Sequence, residues 1–359
     1  MYNRRKSKIV KVGAVAIGGG FPVSIESMTN TKTADVAATV AQIRRLAEAG
    51  CEIVRITVNN PAAAEGFRQI RRQIDIALPL VADIHFDHNM ALAAIDAGAD
   101  KIRINPGNIG SAERLAQVAR TAKKRGIPIR VGVNAGSLEQ GLIDKFGGVT
   151  AQGLAESALR NVRLLESLDF GDIIISMKAS NIPMTLEAHE ILAPQVEYPL
   201  HIGITEAGTL HSGTIKSVAG LASLLTRGIG DTLRISLTAD PVEEVKLAKE
   251  MLQALRLRVF GPEIISCPTC GRTEIDLIPL VNEVTARIGH IKTPITIAIM
   301  GCAVNGPGEA RQADIGIAAG KGEGLLFKKG EIVRKIPEAE LADALVLEIE
   351  KIVETFSRL

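Results

Sequence analysis

The sequence lacks any long apolar run and has few cysteines. No stretch approaches the ~18 consecutive apolar residues by which a membrane-spanning helix is recognised. A total of 4 cysteines in 359 residues is too few for the disulfide framework of a secreted protein. The first twenty residues begin like a signal peptide, but their apolar run is short, is interrupted by Lys11 and ends in glycines. These absences predict a cytoplasmic chain in a reducing compartment.

The sequence also lacks an excess of charge of either sign. The 42 basic and 40 acidic residues give a formal net charge of +2, so no overall field favours nucleic acid or a membrane surface as a partner. Any anion binding must therefore depend on a local cluster of charges. The length of 359 residues exceeds that of most single-core domains. We predict two domains, over residues 1–256 and 257–359.

Short apolar, β-branched runs alternate with helical stretches between residues 20 and 240. The first helical stretch carries Val36, Val40, Ile43 and Leu46 at helical spacing and is followed by Gly50, where a left-handed cap is usual. Eight alternations of this kind predict an α/β fold, a (β/α)8 TIM barrel. A doubly wound open sheet is the alternative, because periodicity does not show closure. The predicted strands are 22–28, 52–58, 80–86, 101–107, 128–134, 172–180, 200–206 and 233–238.

Six of these strands carry a polar or small residue at every second position. Strands of a parallel sheet are usually apolar on both faces, and successive side chains point to opposite faces. We therefore expect the apolar set to contact the outer helices and the polar set to line the barrel interior. The polar set includes Asp83, His85, Lys101, Arg103, Asn105, Arg130, Asn134, Ser176, Lys178, His201, Arg234 and Ser236.

The cations of the polar set indicate an anionic ligand. An unpaired buried charge costs several kcal/mol, and we expect Asp83 to be the carboxylate that these strand faces supply. The planar fork of arginine suits phosphate oxygens, so we predict a phosphorylated or diphosphorylated small substrate at the carboxyl-terminal mouth of the barrel. The alternative is that each arginine forms a structural pair with a barrel carboxylate. The cations near strand ends are Arg55, Arg103, Arg130, Lys178 and Arg234.

Glu206 is a candidate acid or base at the same mouth. It lies on the apolar parity of its strand, but it is the last residue of that strand and leads into the loop EAGTLHSGT. The alternation of side chains ends there, so Glu206 is free to face the mouth.

The character of the sequence changes after residue 240. Residues 241–255 predict a helix that completes the barrel, and RVFGPEI reads as a linker. The following segment predicts a helix near 274–288, a strand at 295–300, a Gly-rich loop, a hairpin around FKKGEI and a final amphipathic helix. This order favours a smaller second domain of the α+β type.

Three cysteines of the second domain form the pattern C-x2-C-x31-C: Cys267, Cys270 and Cys302. With His290 they would make a Cys3His zinc site. The CxxC pair could instead be a redox disulfide, or the three thiolates could hold an iron-sulfur cluster with one open or unusual ligand position. The spacing does not decide among these. The fourth cysteine, Cys51, lies at the start of a barrel strand, where a free cysteine is commonly a small core residue.

Several segments of the chain together match the pattern of a known family: CPTCGRTEID, IMGCAVNGPGEARQADIG, SMTNTKTADVAAT, VADIHFDHNMAL, KIRINPGNIG, RVGVNAGSL, ISMKASN, HIGITEAG and GIGDTLRISLT. In these segments the chain closely resembles the 4-hydroxy-3-methylbut-2-enyl diphosphate synthases, the iron-sulfur enzymes of the non-mevalonate isoprenoid pathway, in their shorter two-domain bacterial form. The resemblance runs nearly from end to end, and the two cysteine segments are its most specific part.

This resemblance implies a pteroate-synthase-like barrel that binds 2-C-methyl-D-erythritol 2,4-cyclodiphosphate. It also implies a second domain similar to the cluster domain of sulfite and nitrite reductases, with a 4Fe-4S cluster. By motif match the cluster ligands are Cys267, Cys270, Cys302 and Glu309. From its sequence context alone, Glu309 reads as an ordinary acidic residue in the first turn of a helix.

The implied reaction is a two-electron reductive ring opening with loss of a hydroxyl group. We expect Glu206 to donate the proton, with His85 as the second candidate, and Glu309 to take part as a labile cluster ligand. The implied partners are flavodoxin or ferredoxin as electron donor and a second copy of the chain in a head-to-tail homodimer. The residues expected to bind the diphosphate substrate are Arg55, Asp83, Arg103, Asn105, Arg130, Asn134, Lys178 and Ser236.

Two other functions remain compatible with parts of the sequence. A barrel with a zinc-stapled tail could bind a phosphorylated ligand without redox chemistry. A pterin-using transferase could be built on the same barrel, but it would have no need for the cysteines of the second domain.

Overall fold

The computed structural model describes residues 3–105, 109–302, 308 and 313–357. The chain divides into two compact units, with the division between Arg258 and Val259. The first unit contains a parallel sheet with flanking helices. The second unit contains a separate mixed sheet with its own core.

The first unit is a (β/α)8 barrel preceded by a hairpin. The eight parallel strands follow one another around the barrel in chain order, and an isolated bridge between Ile175 and Leu200 joins the two ends of the sheet. The barrel prediction is thereby confirmed and the open sheet excluded. The hairpin strands are β1 (Val10–Val12) and β2 (Val15–Ile17), and the barrel strands are β3 (Ser24–Met28), β4 (Ile53–Thr57), β5 (Leu80–Asp83), β6 (Lys101–Ile104), β7 (Ile129–Asn134), β8 (Ile173–Lys178), β9 (His201–Ile202) and β10 (Thr232–Leu233).

The helices of the first unit follow the barrel strands and end where the sequence indicates. The first helix begins after Asp35, whose side chain accepts a hydrogen bond from the Ala38 amide, and it ends at Gly50 with φ 97°. The last helix, predicted over 241–255, is observed nearly over its whole length. The helices are α1 (Val36–Ala49), α2 (Pro61–Gln73), α3 (His88–Asp96), α4 (Ala112–Arg125), α5 (Gln140–Phe146), α6 (Ala151–Ser167), α7 (Ile182–Leu192), α8 (Leu210–Thr226) and α9 (Pro241–Ala254).

The hairpin of β1 and β2 closes the amino-terminal end of the barrel. Its side chains Val10, Val12 and Ile17 are buried in one cluster with Ile53 and Ile174, which come from the barrel strands. The sequence segment VKVGAVAI suggested only a short apolar run, so this element was not predicted. The hairpin therefore contributes hydrocarbon to the interior at the start of the barrel strands.

Among the described residues, the second unit is a five-stranded mixed sheet with two α-helices, α10 (Leu277–Ile288) and α11 (Leu341–Ser357). The helices α10 and α11 pack on one face of the sheet, where Val284 and Leu345 join Ile297, Ile299 and Ile317 in a buried cluster. The hairpin predicted around FKKGEI connects the last two strands, whereas the first and third strands were not predicted. The elements are β11 (Glu263–Ser266), α10 (Leu277–Ile288), β12 (Thr296–Met300), β13 (Ile315–Gly320), β14 (Glu323–Lys328), β15 (Glu331–Pro337) and α11 (Leu341–Ser357).

Within the described part of the chain, none of the helices combines the length and apolar character that crossing a bilayer would require.

The hairpin provides a test of the barrel core. Ile17 is fully buried and Ile9, in the same segment, is 54% exposed. Replacing Ile17 by Ala leaves a cavity and should lower the free energy of unfolding of the barrel by about 2–5 kcal/mol. The chain has no tryptophan and 2 tyrosines, both in the first unit, so tyrosine fluorescence in urea follows the unfolding of the barrel.

The matched control is Ile9→Ala, which removes the same atoms from an exposed position and should change the unfolding midpoint little. Equal midpoints for the two variants would contradict the role of the hairpin in the core.

Candidate functional site in the barrel and the cysteine segments

The polar face of the strands lies inside the barrel, as the alternation predicts. Arg103 is paired in register with Asp83 on one side and with Arg130 on the other. Asn134 and Lys178 are also register partners. Residues paired in this way share a face, so Asp83, Arg103 and Arg130 lie side by side on β5 to β7, and Lys178 lies on the same face further along β8.

Glu26, on β3, is a carboxylate that contacts three of the interior cations. Its carboxylate is 2.8 Å from Lys101 Nζ, 2.7 Å from Arg130 Nη1 and 3.8 Å from Arg55 Nη1. The expectation that Asp83 is the only carboxylate on the polar faces is therefore wrong. The signal that could have identified Glu26 is the charged residue in the middle of SIESM, a strand whose residues are otherwise apolar or small.

The carboxyl group of Glu26 is buried and ionised. Burial alone would raise the pKa of the Glu26 carboxyl, but the charges of Arg130 and Lys101 hold that pKa well below its ordinary value. Burial lowers the pKa of Lys101 to about 8 and that of Arg130 to about 10, although Glu26 opposes both changes. Because Lys101 and Arg130 are 0% and 1% exposed, both cations depend on this one carboxylate for compensation.

Two arginines share the carboxylate of Asp83, which lies nearer the carboxyl-terminal end of the barrel than that of Glu26. Arg103 Nη1 is 3.2 Å and Arg55 Nε is 3.6 Å from its carboxylate. Burial would raise the pKa of Asp83, but Arg55 and Arg103 lower it overall. The nearest acceptor of the Arg55 guanidinium is Met28 Sδ, at 2.9 and 3.1 Å. Since a thioether is a weak acceptor, Arg55 retains capacity for a better one.

A third interior carboxylate comes from a helix. Glu244, in α9, is 3% exposed and accepts hydrogen bonds from Arg234 Nη2 at 3.2 Å and from Ser27 Oγ at 3.0 Å. The Nε atom of Arg234 is buried and has no partner among the described residues. Glu244 was not predicted, because it lies on a helix rather than on a barrel strand.

Lys178 differs from the other interior cations. It is 6% exposed and makes no hydrogen bond or ion pair with the residues that the structure describes. Burial, followed by repulsion from Arg55, Arg130 and Arg234, lowers its pKa well below the ordinary value, and the opposing charge of Glu26 does not offset this. A bound anion would favour a positive charge at Lys178.

Two glycines of the barrel strands provide space for cations. A Cβ on Gly203 would lie 2.8 Å from Lys178 Nζ and 2.7 Å from the Arg234 carbonyl oxygen. A Cβ on Gly132 would lie 2.3 Å from Arg103 Nε. Gly203 is therefore restricted to glycine by close approach to backbone, whereas a side chain at position 132 would displace the Arg103 guanidinium.

The other predicted site residues lie around the mouth or near it. His85 is exposed beyond the end of β5, with Nε2 3.9 Å from Asp83 Oδ2. Glu206 is also exposed and has φ 52°, an uncommon value for a residue other than glycine. Asn105 is buried and Ser236 is half-buried. Asn134, with its amide oriented to satisfy both polar atoms, accepts a hydrogen bond from Arg103 Nη2 at 3.1 Å.

The three cysteines of the second unit line one cavity. Cys267 follows β11, Cys302 follows β12, and these strands are parallel neighbours. Together with Cys270 they surround a cavity of about 100 Å³, whose other lining residues are Pro268, Arg272, Thr273 and Met300. All three thiols are free.

Two thiols of this cavity have hydrogen-bond donors. The Gly301 amide donates to Cys267 Sγ at 3.3 Å. A hydrogen bond from the Arg272 backbone lowers the pKa of the Cys270 thiol. Donors of this kind stabilise the thiolate form that binds metals. By contrast, Cys51 is buried in the barrel, where burial raises the pKa of its thiol to about 12.

The remaining candidate ligands do not complete a mononuclear site. His290 follows the far end of the 12-residue helix α10 and does not line the cavity. Among the described residues, no three His, Cys, Asp or Glu side chains are close enough together to hold a single metal ion. Glu309 lies outside the described residues.

Two protein-family models match this chain, one over each of its two compact units. A family model described as the GcpE TIM-barrel domain matches residues 7–249, and one described as the GcpE protein C-terminal domain matches residues 263–351. Relatives from Bacillus pumilus and Bacillus subtilis, both named 4-hydroxy-3-methylbut-2-en-1-yl diphosphate synthase (flavodoxin), are 59% and 58% identical over 352 residues. These alignments cover 98% of this chain and 95% and 93% of the relatives.

Solved structures resemble the barrel alone. Dihydropteroate synthases from Xanthomonas albilineans and Stenotrophomonas maltophilia align with TM-scores of 0.50 and 0.51 at 16% and 14% identity. Each alignment covers 70% of this chain and 98% of the solved chain. The likeness therefore shows the fold of the first unit. The two family models and the relatives confirm the resemblance found in the sequence motifs, and the chain belongs to the GcpE family.

Proposed function

We propose that this chain catalyses the reductive dehydroxylation and ring opening of 2-C-methyl-D-erythritol 2,4-cyclodiphosphate to 4-hydroxy-3-methylbut-2-enyl diphosphate. The observation that carries the proposal is an excess of cations inside the barrel. Five interior cations (Arg55, Lys101, Arg103, Arg130 and Arg234) accompany three carboxylates (Glu26, Asp83 and Glu244), and the amine of Lys178 would add a sixth positive charge when an anion binds. A diphosphate supplies the negative charge that this arrangement lacks. The names of the relatives support the same reaction.

The proposed diphosphate site centres on Lys178, Arg55 and Arg103. Lys178 has no partner among the described side chains, Arg55 contacts a thioether, and Arg103 shares Asp83 with Arg55. Arg130 is tied to Glu26 at 2.7 Å, so we propose that it contributes positive potential from below the bound group. Asp83 fixes the two arginines that share it, while Asn105, Asn134 and Ser236 orient the ligand. Fixed donors of this kind stabilise charge without reorganisation during the reaction.

Glu206 is the proposed proton donor and His85 the second candidate. Both are exposed at the carboxyl-terminal ends of barrel strands, where TIM barrels carry their reacting groups. The left-handed backbone of Glu206 costs about 1–2 kcal/mol, and strain of this kind concentrates at functional sites. This supports Glu206 over His85.

The second unit, residues 257–359 of the predicted division, is the proposed cluster domain, and 1–256 the substrate domain. The cysteine cavity fits a 4Fe-4S cluster, because a cluster distributes its ligands over several irons. Thiolates that surround a cavity without converging on one point suit it better than a single tetrahedral zinc. We propose Cys267, Cys270 and Cys302 as ligands, with Glu309 as the fourth from the motif match. When bound, the cluster would pass the two electrons of the reaction one at a time from the external electron donor to the substrate.

We propose flavodoxin as the electron donor, because the names of the relatives specify it. Ferredoxin is the alternative. A head-to-tail homodimer, implied by the sequence resemblance, is part of the proposal. So are a cytoplasmic location and the absence of nucleic acid and membrane partners.

The cluster assignment predicts a selective effect of cysteine replacement. Cys302→Ser removes a proposed ligand and should reduce the iron and sulfide content of anaerobically purified protein to a small fraction of the wild-type content. Cys51→Ala is the matched control: it removes a buried thiol of the barrel, and we expect it to retain the cluster. The measurements are iron and sulfide assays and the visible absorption spectrum.

Colourless wild-type protein that contains zinc would support the zinc-stapled barrel instead. Equal loss of iron in the two variants would indicate a general effect on folding and would contradict the ligand assignment.

The close approach at Gly203 predicts a loss of substrate affinity without loss of the cluster. Gly203→Ala places a methyl group 2.8 Å from Lys178 Nζ and should displace the amine from its position. Because a charge-assisted hydrogen bond contributes about 1.5–3 kcal/mol, the affinity for the cyclodiphosphate should fall roughly 10-fold to 100-fold. Equilibrium binding to the oxidised protein, without reductant, measures this effect free of turnover.

Two further variants make this test specific. Gly171→Ala adds a methyl group to open space and should leave binding unchanged. Lys178→Gln removes the amine itself and should reproduce the defect if the amine is what Gly203 accommodates. Wild-type affinity for Lys178→Gln would remove Lys178 from the proposed site.

The lowered pKa of Lys178 also predicts that the protein takes up protons when the substrate binds. This pKa is lowered in the free protein, and a bound diphosphate would raise it by favouring the charged amine. Between the free and the bound pKa, binding therefore consumes protons, and affinity falls as the pH rises through this interval. Calorimetry in buffers of different ionisation enthalpy measures the uptake. We expect a smaller uptake for Lys178→Gln, and an undiminished uptake in that variant would assign the protons to another group.

A further inference from the structure

The two cysteine segments are held together by contacts that involve Gly301 and Thr273. The Gly301 amide donates a hydrogen bond to Cys267 Sγ at 3.3 Å. Its carbonyl oxygen accepts from the Glu274 amide at 3.0 Å. Gly301 therefore bonds in both directions to the CPTCGRTE segment, while the next residue in the chain after Gly301 is Cys302.

Thr273 closes the turn that carries Cys270. The Thr273 amide donates to the Cys270 carbonyl oxygen at 3.0 Å, and Thr273 Oγ1 accepts from the Cys270 amide at 3.1 Å. These reciprocal bonds fix the backbone of Cys270 from both sides. Thr273 is half-buried and lines the cysteine cavity.

The two residues also fit together sterically. A Cβ on Gly301 would lie 2.9 Å from Thr273 Cγ2 and 3.2 Å from Leu277 Cδ2. A contact of 2.9 Å is too short for two carbon atoms, so any side chain at position 301 would push the Cys270 turn away from the end of β12. The absence of a side chain here sets how closely the segments approach.

We propose that Gly301 and Thr273 form a clasp, defined as these two residues with their contacts to Cys267 and Cys270, that sets the separation of the three thiols before the cluster binds. The proposal rests on the proposed iron-sulfur function. The clasp residues are positioning residues, because they act through the cysteines. Outer contacts of this kind govern metal retention as well as the electronic properties of the metal centre.

The test is a double-mutant cycle in the full-length chain, reconstituted anaerobically with iron and sulfide. Gly301→Ala introduces the steric conflict, and Thr273→Ser removes the methyl group responsible while keeping the hydroxyl that bonds Cys270. We expect the rate of iron loss to EDTA to rise about 10-fold or more in Gly301→Ala. Thr273→Ser alone should stay near wild type, and the double variant should recover most of the retention.

A second readout follows from the bond to Cys267. Amide donors to sulfur favour the more negative, reduced cluster, so displacement of the Gly301 amide should lower the reduction potential in Gly301→Ala. Thr273→Ser should restore the potential in the double variant. Far-ultraviolet circular dichroism of the apoproteins checks that all variants fold, because an unfolded second unit would lose its β signal.

The outcomes separate the clasp from the function on which it rests. Wild-type protein that takes up no iron and sulfide would overturn the proposed cluster, and the clasp with it. Wild-type protein with a cluster, together with unchanged iron loss and potential in folded Gly301→Ala, would overturn the clasp alone. Failure of Thr273→Ser to rescue the folded double variant would overturn the methyl contact as the cause.

Discussion

The arrangement of the barrel interior depends on the buried carboxylate of Glu26. Two cations with almost no exposure, Lys101 and Arg130, bond to it at 2.8 and 2.7 Å, and removing one partner from such a group leaves an uncompensated buried charge. Arg55 and Arg103 share Asp83 in the same way. Each of these two groups has two cations and one carboxylate, so both contribute positive potential to the barrel interior.

The positions of the upper cations also depend on space, which glycine provides. Gly203 and Gly132 leave the volume into which Lys178 and Arg103 extend. The two glycines thus influence the electrostatics of the barrel interior. Because they have no side chain, a cation can approach the sheet closely and loses more of its bound water there. Without these two glycines the same charged residues would occupy different positions, and the electrostatic pattern of the mouth would change.

The sequence was sufficient for features that depend on local periodicity. It predicted the eight strands, the closing helix α9 and the polar interior, because alternation within a strand determines which face a side chain joins. It missed Glu244, whose partner Ser27 is 217 residues away along the chain, and it missed the hairpin β1–β2, whose short apolar strands are stabilised by distant residues such as Ile174. Glu26 was overlooked because its strand lacks clear alternation. These contacts arise from the closure of the barrel, which no local pattern encodes.

The two units use close backbone approach for different chemical purposes. In the barrel, Gly203 admits an ammonium group that would otherwise clash with a Cβ. In the second unit, Gly301 admits the Thr273 methyl group and gives its own amide to Cys267. The proposed anion site has more cations than carboxylates, whereas the proposed cluster site would need thiols at a fixed separation with donors for their negative charge. Glycine serves in both places, because both arrangements require a side-chain group to approach the backbone more closely than a Cβ atom would permit.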